Sequence, residues 1–280
     1  MAFDVLVAAV LLTISAFAGF IGALAGIGGG VILVPFLVLF LNIPIHYAIG
    51  ASIVGVVATS SVSASAYLRR RLVNLRLGIF LEAGTALGAL AGASVAVFLP
   101  INILEMLFSL MAFYVCGLLL FTKLKENKGR SKQHALSDRL FLHSNSSSTR
   151  KGYTVHSPKK GFIGSIFAGI FSGLFGIGGG VIKVPLMNIA MRVPLREAAA
   201  TSNFMVGITA ATGAAVYLSR GYVLAEIGAP VLLGATLGSV LGSAVSPKVD
   251  VARIRIIFVL VLFYTALRMM LRSMGVEIGI

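Results

Sequence analysis

Long apolar stretches separated by short polar breaks run the length of the chain. Ala2–Ala25 is almost wholly apolar, and Val31–Leu41 is a shorter piece closed by Asn42-Ile43-Pro44. Ile45–Leu68 stops at Arg69-Arg70-Arg71, Leu77–Leu99 stops at Pro100, and Leu104–Phe121 completes the series. After a polar block, Lys123–Lys160, the pattern restarts with Gly161–Phe175, Val181–Met191 and Leu195–Leu218. Apolar runs of roughly 20 residues, wound as helix, cross a bilayer core about 30 Å thick. A transmembrane barrel would instead alternate apolar and polar positions in segments of about 10 residues, and no such alternation is present. The pattern predicts an all-α, polytopic membrane protein of about 8 spans.

Two decapeptides interrupt the apolar pattern. Gly26-Ile27-Gly28-Gly29-Gly30-Val31-Ile32-Leu33-Val34-Pro35 returns as Gly176-Ile177-Gly178-Gly179-Gly180-Val181-Ile182-Lys183-Val184-Pro185, with Lys183 in place of Leu33. Each glycine in a helix interior costs about 1 kcal/mol relative to alanine. Three together, with a proline five residues on, predict a break or kink. The same register pairs Pro44 with Pro194, Tyr67-Leu68 with Tyr217-Leu218, and Phe113-Tyr114 with Phe263-Tyr264. It also pairs Gly78, Gly84, Gly88 and Gly92 with Gly228, Gly234, Gly238 and Gly242. The chain therefore reads as two homologous repeats, 1–122 and 161–280, joined by a basic cytoplasmic linker, 123–160. If each glycine segment crosses the membrane once, each half has four spans and the halves are parallel. If it forms a hairpin, each half has five, up to 10 in all, and the halves are inverted. Inversion places Arg192, Arg196, Lys248, Arg253 and Arg255 on the linker side, and the parallel arrangement places Arg220, Arg268 and Arg272 there.

Composition agrees with this picture. Of 280 residues, 58% are hydrophobic and 11% charged, against about 45–50% and about 25% in a soluble domain. The net charge of +14 is not a nucleic-acid footprint, because ten of the 23 basic residues fall between Lys123 and Lys160. Basic loops beside apolar spans follow the positive-inside rule. Cys116 is alone, which excludes a disulfide framework. Ala2–Ala25 has no basic region before it, so a cleaved signal peptide is not expected. No Ser/His/Asp order, His-Glu-x-x-His or paired carboxylates support an enzyme, and no cofactor or metal site is indicated.

The two Gly-Ile-Gly-Gly-Gly-Val-Ile-x-Val-Pro motifs resemble those of the sulfite exporter TauE/SafE family. So do Pro44 with the Ala48–Ser52 stretch, and Pro194 with Ala198-Ala199-Ala200-Thr201-Ser202. The resemblance covers nearly all of the chain except the linker. It implies a membrane transporter of small sulfur-containing anions such as sulfite, sulfonates or related organic acids, in a bacterial cytoplasmic membrane. Another small organic anion, a passive anion pathway, or a sensor or assembly subunit acting through the linker remain the other readings. Oligomeric state is left open.

Candidate site residues follow from chemistry. Gly28, Gly29, Gly30, Gly178, Gly179 and Gly180 could free backbone N–H groups at a helix N-terminus for an anion; tight helix packing is the plainer reading. Lys183, which insertion scales charge about 2.5–3.5 kcal/mol at a span's centre, could add a cation there, or pair with Glu82 or Glu226. Ser52, Thr201, Ser202 and Asn203 could donate to an oxyanion or bond between helices. Asn188 is a weaker candidate. Glu82, well inside a span, is the candidate for proton coupling, and Glu105 and Glu226 are expected near the membrane interface. His46 is unremarkable, and His134, His143 and His156 are expected to be solvated in the linker.

Overall fold

The computed structural model describes residues 5–121, 153, 155–245 and 251–275. His134 and His143, and all of the linker up to residue 152, lie outside the described residues. The elements are α1 (Val5–Ala25), α2 (Gly30–Phe40), α3 (Ile45–Arg69), α4 (Leu75–Ala96), α5 (Ile101–Phe121), α6 (Pro158–Phe175), α7 (Gly180–Pro185), α8 (Leu195–Ser219), α9 (Ala225–Val245) and α10 (Val251–Ser273). A π-helical turn, Leu186–Ala190, continues α7. Every element is helical. Pro44 and Pro194, with φ of −54° and −56°, stand immediately before α3 and α8, where a fixed φ and a missing N–H suit a helix start. Asn74 caps α4 by accepting from Leu77 N at 3.1 Å.

Among the described residues, five helices are long and apolar enough to cross a membrane: α1, α3, α4, α5 up to Leu120, and α9. Gly30–Phe40 and Gly180–Ala190 are shorter apolar helices. The distribution of side chains is that of a protein in lipid. Val5, Ile79, Leu87, Phe98, Leu120 and Leu260 are exposed, whereas Lys183, Glu82, Thr201, Ser202 and Asn203 are buried. A water-soluble fold buries Lys and Glu least of all, and a continuous apolar exterior of this kind fits a hydrocarbon surround.

Glycines and other small residues make the main seams. On α4, Gly84 faces Ser165, Gly88 faces Ile166, and Gly92 faces Ile170 of α6. On α9, Gly234 faces Leu12, Gly238 faces Ala16, and Gly242 faces Phe20 of α1. A Cβ at most of these glycines would strike backbone, so the helices touch main chain to main chain, as small residues permit in membranes. Numbers rise together along both seams, so α1 runs parallel to α9 and α4 parallel to α6.

The helix pair at the centre runs the other way. Ser60 of α3 bonds Asn203 O of α8, Val56 and Val206 meet around the glycine turns, and Ile53 approaches Gly213. Between α5 and α10, Phe113 packs edge-on against Phe263 and Cys116 reaches Val259 O at 3.7 Å. In both pairs, numbers fall on one helix as they rise on the other.

Part of the segment read as linker is packed into the fold. Tyr153, Val155 and His156 are buried, and the first two join a cluster with Leu77, Leu81, Met187 and Met191. His156 N donates to Met191 O at 3.0 Å, and Pro158–Lys160 are already the first turn of α6. The expectation of a solvated His156 is thus corrected: a short apolar anchor, too brief to register as a span, docks it.

Candidate functional site

Backbone conformation builds the two glycine turns. Gly26, Gly28 and Gly29, like Gly176, Gly178 and Gly179, have φ between 66° and 88°, a region that side chains disfavour. Three left-handed residues within four positions fold the chain back, so that Gly29 lies against Ala18 and Gly22 against Gly28. α2 therefore leaves the turn in the direction opposite to α1. Glycine here is required by the turn and by close approach together.

The turns meet each other. A Cβ on Gly30 would stand 2.5 Å from Gly176 O, and one on Gly180 would strike Gly26 O. Gly28 and Gly178 both rest on Val56 and Val206, midway along α3 and α8. Ser52 Oγ donates to Gly176 O at 3.0 Å and Ser202 Oγ donates to Gly26 O at 2.8 Å. Each serine thus holds the turn of the opposite half. Tyr67 Oη likewise donates to Ala23 O at 2.9 Å, and Tyr217 Oη to Gly173 O at 3.2 Å.

The remaining candidate side chains bond to backbone. Thr201 Oγ1 accepts from Asn74 N at 3.0 Å, and Asn203 Nδ2 donates to Ala23 O at 3.0 Å. Only the Asn203 Oδ1 atom of this group is buried with no hydrogen-bond partner. Asn188 is buried and its Nδ2 donates to Val193 O at 3.0 Å.

Lys183 and Glu82, given separate roles on sequence grounds, come together. Lys183 is 1% exposed. Its Nζ donates to Thr209 Oγ1 at 2.6 Å and lies 3.4 Å from Glu82 Oε2. Thr209 Oγ1 in turn reaches Glu82 Oε1 at 2.7 Å, with Met205 O at 3.0 Å as the alternative acceptor. The result is a closed ring of cation, hydroxyl and carboxylate drawn from α7, α8 and α4. Glu226 is exposed and takes no part. Sequence reasoning passed over Thr209. Its signal was positional, since Thr209 follows Lys183 at the same interval at which Thr59 follows Leu33.

At the first turn the matching residues are Leu33, Thr59 and Leu232. Leu33 and Thr59 are buried and Leu232 is exposed. Here the structure keeps a cavity of about 10 Å³, lined by Gly29, Gly30, Leu33, Ser15, Ser52 and Thr59 among others, room for about one water-sized group. At the second turn the Lys183 stem runs alongside, its Cε 3.4 Å from a Cβ on Gly179.

Two other charged positions depart from expectation. Glu105, expected at an interface, is 2% exposed and lies 3.7 Å from Arg272 Nε, because α10 packs across α5 at that level. Arg272 also donates to Val38 O at 2.5 Å and Asn42 Oδ1 at 3.2 Å. His46 is buried, with Nε2 3.2 Å from Ala96 O and its ring stacked on Tyr222. Among the described residues, no three His, Cys, Asp or Glu side chains gather as a metal site.

The family model described as sulfite exporter TauE/SafE matches residues 11–269. The chain is 29% identical to the probable membrane transporter protein YunE of Bacillus subtilis, over 90% of this chain and 93% of that protein. It is 28% identical to the probable membrane transporter protein YdhB of the same organism, over 80% and 83%. A probable membrane transporter protein of Haemophilus influenzae is 30% identical over 84% and 83%. No solved structure matches the chain. With its apolar exterior and glycine-turn core, this chain is an integral membrane transporter and belongs to the sulfite exporter TauE/SafE family.

Proposed function

We propose that the protein is a secondary transporter that moves small sulfur-containing anions, such as sulfite or a sulfonate, across the cytoplasmic membrane. The observation that carries this reading is the meeting of two glycine turns at the middle of α3 and α8, each held by a serine of the other half. Irregular backbone at membrane depth is tolerated only where protein buries it or a pathway lines it, and broken helices at a repeat interface are a recurrent transporter design. The antiparallel sense of α3 with α8 and of α5 with α10 supports inverted halves. On that reading Arg69, Arg70, Arg192 and Arg196 share the side of the basic linker, the cytoplasmic side. Alternating access is then the rocking of one half against the other about the turns.

Coupling falls to the Lys183–Thr209–Glu82 ring. While Glu82 is ionised, it holds the Lys183 ammonium through Thr209 and directly. A proton on Glu82 removes that hold and leaves the ammonium free to balance an anion at the adjacent turn. Proton and anion are thereby linked. The test is flux of sulfite, thiosulfate and a sulfonate into vesicles holding the purified protein, with and without a pH gradient. Uptake that responds to the gradient supports the reading, and no uptake of any of the three contradicts it.

A further inference from the structure

The two turns are matched in backbone and unmatched in side chains, and the difference leaves one hydroxyl without work. Thr209 Oγ1 is fully engaged. Thr59, its counterpart, is 1% exposed, and its Oγ1 has no hydrogen-bond partner. Threonines in helices commonly donate to the carbonyl four residues back, as Thr13, Thr85, Thr212 and Thr236 do here. Thr59 does not. A buried hydroxyl left unsatisfied costs about 1–3 kcal/mol, which is a reason for selection to replace it with valine unless something uses it.

That hydroxyl lines the cavity at the start of α2. α2 is 11 residues long, and its N-cap is Gly29, which has no side chain to cap the helix. The amides of Gly30 and Val31 open the helix and have no carbonyl one turn back, and the helix dipole places partial positive charge at that end. Ser15 Oγ and Ser52 Oγ, which also line the cavity, already donate to Leu11 O and Gly176 O. The Thr59 hydroxyl is therefore the unpartnered side-chain donor of the cavity, and beside the Gly30 amide at the helix start it favours an acceptor as guest.

We propose that this cavity, bounded by Thr59 and the first turn of α2, is the subsite that takes one oxygen of the transported oxyanion. The inference rests on the anion-transport reading above and assigns one oxygen contact to the first half, with the Lys183 ammonium balancing the charge from the second turn, which touches the first. Its volume of about 10 Å³ fits one oxygen and not a whole sulfite. Leu33 matters by being short and neutral: a lysine at that position would run into the same space, as Lys183 does beside Gly179.

Binding of sulfite, sulfate and thiosulfate to the full-length protein in nanodiscs, by calorimetry, tests this with two substitutions. Thr59→Val keeps the shape and removes the donor; Thr59→Ser keeps the donor. The expected result is a Kd raised about tenfold or more in Thr59→Val, the size of a lost hydrogen bond to a charged group. Thr59→Ser should stay within about threefold of wild type. Wild-type binding with Thr59→Val unchanged in Kd and raised in melting temperature overturns the subsite and leaves the transport reading standing, since the hydroxyl then served nothing. Wild-type protein that binds none of the three anions overturns both. Removal of an unpartnered hydroxyl should not unfold the protein, and the melting curve of each variant checks this.

Discussion

The two glycine turns share a backbone and differ in what surrounds it. Around the second, Lys183, Thr209 and Glu82 close a charged ring with 1% and 6% side-chain exposure at the two ions. Around the first, the same positions hold Leu33, Thr59 and Leu232, none of them charged, and Leu33 and Thr59 line a small cavity. The glycine turn is therefore structural in both halves, because both need the left-handed residues and the close crossing. The chemistry is not duplicated. One turn holds a buried ion pair, and the other keeps an unpartnered hydroxyl beside a helix N-terminus.

The largest expected effect comes from breaking the ring on one side. Lys183→Ala leaves Glu82 buried without its cation and should cost about 3–5 kcal/mol of stability, read by thermal or chemical unfolding. Lys183→Leu with Glu82→Leu together gives the second half the side chains of the first. Stability should then return close to wild type, since an apolar replacement of a buried ion pair is often neutral or better. Should the double variant be as unstable as the single, the ring is not an isolated pair.

Gly30→Ala and Gly180→Ala probe the shared part. Each places a Cβ against backbone of the opposite turn, and overpacking of this kind costs about 1–3 kcal/mol. The two losses should be similar. A large difference in melting temperature between them would show the crossing to be one-sided.

Ser52→Ala and Ser202→Ala should each cost about 0.5–1.5 kcal/mol, one hydrogen bond apiece, again nearly equal. The smallest effect is expected from deleting residues 128–150 of the linker. Anion flux should persist, because Tyr153 and Val155, which are packed into the core, remain. Lost flux at normal expression would assign the linker a part in transport.

Much of this was legible in the chain, for identifiable reasons. Helices in a membrane must satisfy their backbone internally, so apolar length alone marked α1, α3, α4 and α5, and the repeated glycines marked α9. The glycine spacing of α4 and α9 announced close seams, because residues four apart share a face. Which helices those seams join was hidden, since α1 meets α9 and α4 meets α6 across the whole length of the sequence. The hairpin at each turn was one of two readings, because periodicity cannot distinguish a kink from a reversal. Lys183 drew notice as a charge in an apolar run, and Glu82 was named among its possible partners. Their joining through Thr209 was not visible, because a threonine in a helix looks ordinary until its neighbours are placed. Thr59 was missed for the same reason. The anchor at Tyr153 and Val155 is two apolar residues inside a polar block, too short for any window to find.

The inequality of the two turns is tested most directly by sulfite flux into vesicles carrying wild-type protein or the Lys183→Leu, Glu82→Leu double variant. Wild type should take up sulfite in response to a pH gradient. The double variant, folded and with near wild-type melting, should fall close to protein-free vesicles and lose its response to pH. A double variant that carries sulfite at the wild-type rate and with the same pH dependence would contradict the account.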